Sequence, residues 1–286
     1  MAMTRNRERR ERSNEILAMI ERLSFNQITS KHATLKECID GCVRHGVGWI
    51  APWRDRVQEA GLQESVRMIR DAGLRVSSLC RGGFFPAATQ ADRRERIDDN
   101  RRAIDEAAEL GAPCVVLVCG PAPDRDIDGA RRMVAEGIEA VVSHARDRGV
   151  RLGIEPLHPM FAADRSVIVT LAEALDLAGQ FQADTVGVVV DVFHVWWDPR
   201  LYTELSRARG RIVGFHVSDW AVPLPGIVTG RSMMGDGVVE LRRIRSAVDE
   251  TGYSGPIEVE IMNERIWAQP VDTTFEQCVQ RYVECV

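Results

Sequence analysis

The 286-residue chain has almost no lysine: Lys31 and Lys36 are the only two, and every other cationic side chain is an arginine. Schiff-base chemistry is therefore limited to two candidates near the N-terminus, which disfavours a lysine-dependent aldolase. Positive charge is not in excess either. Lys and Arg number 37 against 42 Asp and Glu, a formal charge of −5, so no global field draws a nucleic-acid backbone or an anionic membrane surface. A run of about 18 apolar residues, the length that spans a bilayer, is also missing. The N-terminal stretch mixes Glu with its Arg, unlike a signal or transit peptide, so export is not expected. The seven cysteines lack any C-x-x-C pair, which fits reduced thiols better than a disulfide framework or a zinc ribbon. A cytoplasmic location is the resulting expectation.

What is present is a period. The hydrophobic fraction of 45% and the charged fraction of 28% are those of an ordinary soluble domain. From about residue 25 onward, short apolar β-rich runs alternate with longer amphipathic stretches, the pattern of βα units around a parallel sheet. Eight such units can be counted, with strands expected at 24–29, 47–52, 74–80, 114–120, 150–156, 186–194, 211–219 and 256–262. Gly73, Gly111, Gly149 and Gly252 each fall where a helix should stop before the next strand. The dinucleotide-binding fingerprint of a doubly wound sheet is absent, because Gly235 and Gly237 follow a long loop and Gly82–Gly83 lacks the remaining spacing. These observations predict an α/β chain forming a single (β/α)₈ barrel over residues 23–286, preceded by a charged helical extension at 1–22.

In such a barrel the chemistry sits where strands end and loops begin. The later strands place titratable side chains there: Glu155 on the fifth, Asp191 and His194 on the sixth, His216 and Asp219 on the seventh, Glu258 and Glu260 on the eighth. A carboxylate in an apolar strand costs several kcal/mol to bury unless it is paired or metal-bound. Any one of them alone is more often structural. Carboxylates recurring on consecutive strands, together with an imidazole, instead form a hard, mostly oxygen donor set for one divalent cation. Glu258 and Glu260 lie two apart and share a face, so spacing does not separate them.

The set resembles the xylose isomerase-like TIM barrel superfamily, in its sugar phosphate isomerase/epimerase branch, which includes tagatose 3-epimerase-like enzymes, inosose dehydratases and dehydroshikimate dehydratases. The resemblance implies that Glu155, Asp191, His216 and Glu260 bind one metal, Mn²⁺ first, with Mg²⁺, Co²⁺ and Zn²⁺ as alternatives. It implies that Glu155 and Glu260 also exchange the proton of a carbon beside a carbonyl, the developing enediolate being stabilised by the metal. It matches Asp191 and His194 to a D-x-x-H motif whose second member touches substrate, and Arg231 to an arginine ahead of a Gly-x-Gly turn. Glu260 is favoured over Glu258 because it lies nearer the strand's C-terminal end and is followed by an apolar residue.

Strand ends supply further substrate-binding candidates: Trp53, Arg54, Arg81, His158 and Trp197, alongside His194, Arg231 and Asp219. The loop from Trp220 to Asp236 is long for a βα connection and reads as a lid. The leading functional reading is isomerisation or epimerisation of an unphosphorylated sugar or polyol. A metal-dependent lyase, a dehydratase or β-elimination enzyme, is the nearest alternative; a non-catalytic sugar-binding subunit and an abasic-site endonuclease stand behind it. The expected partners are a small-molecule substrate and further copies of the chain, a second kind of subunit being the alternative, with no nucleic acid and no membrane.

Overall fold

The structure is a computed structural model that describes residues 15–286. Its strands are β1 (Leu23–Asn26), β2 (Trp49–Ala51), β3 (Arg75–Val76), β4 (Leu79–Gly83), β5 (Cys114–Val118), β6 (Arg151–Glu155), β7 (Val186–Asp191) and β8 (Ile212–Val217), then β9 (Asp219–Trp220), β10 (Arg231–Ser232) and β11 (Ile257–Val259). Nine of them pair in parallel in the order β3-β2-β1-β11-β8-β7-β6-β5-β4. β3 and β4 are two halves of one strand position, and an isolated bridge between Trp53 and Cys80 spans the remaining seam. The result is the expected eight-position barrel with helices outside it. Every residue of β5 and β7 is buried, as strands covered by helices on one face and filled by the barrel interior on the other must be.

Local chemistry sets the helix boundaries. Thr34 and Thr170 each accept from the backbone three residues on while Glu37 and Glu173 reach back, so both helices begin with a capping box. Gly111 ends the helix Gln90–Leu110 at φ 70°, its N–H donating to the Ala107 and Ala108 carbonyls. Gly73, Gly149 and Gly252 also take positive φ, as their spacing predicts. The helix Leu35–His45 packs so closely on the helix Val271–Cys285 that a Cβ at Gly41 would lie 2.3 Å from the Phe275 ring.

Two strand expectations are corrected. The sixth ends at Asp191 rather than at 194, because Asp191 Oδ1 accepts from the Phe193 N–H at 2.9 Å and opens a helical turn over Val192–Val195. The third is broken at Ser77 and Ser78, both buried. Ser77 turns its hydroxyl inward to Glu258 Oε1 at 2.8 Å and meets the Ser24 hydroxyl, also at 2.8 Å. Of the expected N-terminal extension, residues 15–19 are helical and Ile20 is buried, while 1–14 lie outside the described residues. No helix among the described residues is long and apolar enough to cross a membrane. All seven cysteines are free thiols.

Candidate metal centre and substrate pocket

Strand register brings four side chains together at the C-terminal end of the barrel. Asp191 on β7 is level with His216 on β8, His216 is level with Glu258 on β11, and Glu155 closes β6. Glu260 follows the last residue of β11, on the same face as Glu258 and one layer nearer the mouth. One donor atom from each of Glu155, Asp191, His216 and Glu260 lies within 4.8 Å of all the others, and all four residues are buried. Glu155 Oε1, Asp191 Oδ2 and His216 Nδ1 make no well-aligned hydrogen bond, although the Arg231 guanidinium stands 2.7 Å from Asp191 Oδ2. Buried polar atoms are seldom left orphaned. Three that share one small volume fit a cation between them, and the donor set of three carboxylates and one imidazole suits a divalent ion.

The charge balance agrees. Four buried carboxylates, Glu155, Asp191, Glu258 and Glu260, face one buried guanidinium, Arg231, and one imidazole, His216. Burial pushes the Glu155 carboxyl up to about 7. Burial also acts to raise Glu260, but the adjacent Arg231 guanidinium and His216 ring override it and hold this carboxyl at about 2. For His216 burial favours the neutral ring, yet the carboxylates of Glu258, Glu155 and Glu260 raise its pKa well above the ordinary value. Protonated His216 and Glu155 thus relieve the carboxylate excess, a role that a bound cation would take over.

Around the quartet the contacts are close. Arg231 Nη1 is 2.7 Å from Asp191 Oδ2 and 3.3 Å from Glu260 Oε2, and it donates to the Glu260 carbonyl at 3.2 Å. Its guanidinium lies over the Phe193 ring, 4.8 Å from the centroid. His194 Nδ1 accepts from the His158 backbone N–H at 3.2 Å, and Nε2 is 3.2 Å from Arg231 Nη2. Burial holds the His194 ring neutral, its pKa down at about 3. A model of the xylose isomerase-like TIM barrel family matches residues 39–278.

The chain belongs to this family. A protein of Sinorhizobium meliloti 1021 is 49% identical with a TM-score of 0.91, covering 93% of this chain and 98% of its own. The L-ribulose-5-phosphate 3-epimerase UlaE of Escherichia coli O1:K1 is 26% identical over 205 residues, 70% of this chain and 69% of the relative. The 3-dehydroshikimate dehydratase of Pseudomonas putida is 25% identical over 254 residues, 84% of this chain but 38% of that longer protein. A structure of the IOLI protein with a binding zinc atom shares the fold at TM-score 0.81 and 19% identity, covering 92% of this chain and 97% of that one.

In this xylose isomerase-like barrel the substrate-binding candidates separate into two groups. Trp53, Arg81, His194 and Arg231 line a cavity of about 50 Å³ that also exposes Glu155 and Glu260. It adjoins a second cavity of about 230 Å³, with Trp53, Arg165, Val228 and Met262 common to both walls. The indole N–H of Trp53 donates to Asn26 Oδ1 at 2.8 Å, which fixes the ring at the rim.

The others do not reach this cavity. Arg54 is turned outward: its Nε donates to Glu106 at 2.6 Å and its Nη1 to Asp99 at 2.9 Å, so it pins the helix Gln90–Leu110. Asp219 is a loop anchor, its oxygens accepting from the backbone N–H groups of Trp220, Gly235 and Val239 at 2.8 to 2.9 Å. His158 acts through its backbone on His194 and packs against Trp197, whose indole N–H donates to the His194 carbonyl at 2.8 Å. The expected lid is tied at its base by the β9–β10 ribbon, and it brings Leu224 and Val228 onto an apolar cluster with Val118, Leu157, Phe161 and Phe193. Sequence reasoning missed Arg165, which lies in a loop with no period or motif to mark it.

Proposed function

We propose that the protein is a divalent-metal-dependent isomerase or epimerase of a sugar or polyol, acting on a carbon beside a carbonyl. The observation that carries this reading is the buried quartet, whose donor atoms converge within 4.8 Å of one another. The 26%-identical 3-epimerase relative supports it. A cation held by Glu155, Asp191, His216 and Glu260 would supply Lewis-acid stabilisation of the charge that develops on the substrate oxygen.

The chain's own residues divide the remaining work. Glu260, held ionised beside Arg231, is suited to take the proton from carbon, and Glu155, which also faces the cavity, is suited to exchange a proton with the substrate as the second carboxylate. The neutral His194 ring lines the cavity, held between the His158 N–H at Nδ1 and Arg231 Nη2 at Nε2, and is placed to pack against the substrate. Arg231 keeps its guanidinium against Asp191 and Glu260 and so limits their rotation. Val228 and its neighbours exclude water from the site.

The test is proton NMR of ketoses and keto acids in D₂O with metal-loaded protein. The expected result is exchange of the hydrogen on the carbon beside the carbonyl, abolished by chelator. Absence of exchange on every compound of the panel contradicts the reading. The 25%-identical dehydratase favours a second outcome from the same start, in which a β-hydroxyl leaves after proton abstraction. Release of water with a mass loss in the product identifies that lyase course.

A further inference from the structure

Among the described residues, two arginines of the cavity wall make no ion pair. Arg81 and Arg165 both line the cavity that exposes Glu155 and Glu260. Among the described residues neither makes an ion pair, and neither side chain donates a hydrogen bond to protein. Arg165 Nε is buried with no partner at all. Aromatic faces hold both groups instead: the Arg81 guanidinium lies over the Phe84 ring, 4.2 Å from the centroid, and that of Arg165 lies 5.7 Å from the Phe161 centroid. Stacking of this kind fixes a guanidinium while leaving its in-plane N–H donors free.

Carboxylates are at hand, since Arg54 on the neighbouring strand end takes both Asp99 and Glu106. Arg81 takes neither. Burial pushes its guanidinium below the ordinary value, the nearby Arg165 and Arg54 charges acting in the same direction and Cys80 and Asp99 against it. The adjoining cavity adds Lys31, whose ammonium sits 4.4 Å from the Trp267 ring centroid. The carboxylate of that wall, Asp55, is exposed and lies 4.0 Å from Arg56. Once a cation has balanced the quartet, the cavity therefore carries surplus positive charge. Arg81 is exposed and stays hydrated, but a neutral polyol would leave the buried Arg165 Nε unanswered, an arrangement that costs free energy unless a ligand supplies an acceptor.

We infer that the substrate carries an anionic group, a carboxylate or a phosphate, which Arg81 and Arg165 hold while its carbonyl end faces the quartet. Planar guanidinium groups suit either anion, because both present paired oxygens to the donor fork. The inference rests on the quartet being the reacting end, and it moves the substrate class from the uncharged polyol expected from sequence to an anionic sugar or keto acid.

Binding tests it independently of turnover. The metal-loaded protein is titrated calorimetrically with D-fructose, D-fructose 6-phosphate and 5-keto-D-gluconate, and the titrations are repeated with Arg81→Gln and Arg165→Gln. Charge-assisted hydrogen bonds predict that one anion binds at least about tenfold more tightly than fructose. Preference for fructose 6-phosphate assigns a phosphate, and preference for keto-gluconate assigns a carboxylate. Each variant should lose most of that preference while retaining bound metal. The inference is overturned if neither anion binds more tightly than fructose, or if both variants keep the wild-type preference. Failure of deuterium exchange with the anionic preference intact would instead count against the isomerase reading alone.

Discussion

The ring of His216 stands between two layers of carboxylate: Nε2 is 3.2 Å from Glu258 Oε2, while Nδ1 faces Glu155 Oε1 at 3.3 Å and Glu260 Oε2 at 3.4 Å. Glu258 is itself held by Ser77 at 2.8 Å and Asn26 at 3.1 Å. A carboxylate behind an imidazole fixes which nitrogen carries hydrogen and raises the basicity of the other. Glu258 therefore orients His216 from inside the barrel so that Nδ1 faces Glu155 and Glu260. Glu258→Gln should weaken metal binding roughly 10- to 100-fold, as loss of such a partner does elsewhere. Titration of metal-stripped protein with Mn²⁺ checks this, and Ser77→Ala, which loosens Glu258 without removing it, should give a smaller effect.

Metal binding should tighten as pH rises through about 7. In the metal-free fold Glu155 holds its proton up to about 7, and His216 holds its own to well above the ordinary imidazole value. Both must be lost when a cation takes their electron pairs, so binding releases protons and higher pH favours the complex. Calorimetry in two buffers of different ionisation enthalpy measures the number released. Equal affinity on the two sides of pH 7, with no proton release, would contradict the assigned charge states.

Glu155→Gln and Glu260→Gln, each verified to retain metal, should lower kcat by roughly 10²- to 10⁴-fold, the usual worth of a positioned acid or base. The variants should differ in kind. Loss of the ionised Glu260 should abolish hydrogen exchange with solvent, whereas loss of Glu155 should slow product formation more than exchange. Steady-state rates and exchange rates on one substrate separate the two.

Arg54 supplies a control. Its guanidinium is 12% exposed and joins Glu106, 16% exposed, with the more exposed Asp99. Arg54→Met should cost about 2 kcal/mol of stability, less than a fully buried pair because water screens Asp99. Metal affinity should be unchanged. Denaturant unfolding and the Mn²⁺ titration together check both halves of this expectation.

The residues of the quartet were legible in sequence because burying a carboxylate on a β-strand is costly enough to need a reason, and the period placed each at a strand end. The choice between Glu258 and Glu260 was not legible from spacing. Both point inward; position along the strand favours Glu260, and the height of His216 between them gives Glu260 the mouth and Glu258 the interior. Arg54 misled for a related reason: it follows its strand by one turn, and its direction is decided by two carboxylates on a helix more than forty residues away. Arg165 left no mark because its significance lies in a missing partner, which is a property of the folded surroundings. The end of β7 was misread because an aspartate that caps a helical turn looks, in an apolar run, like one more strand residue.

The central claim is that Glu155, Asp191, His216 and Glu260 hold a single divalent cation. Electron paramagnetic resonance of Mn²⁺ titrated into chelator-treated protein tests it most directly. The expected result is one site per chain, lost in Asp191→Ala and in His216→Ala while both variants remain folded by circular dichroism. A site that persists in both folded variants, or a wild-type protein that takes up no Mn²⁺, Co²⁺ or Zn²⁺, would contradict it.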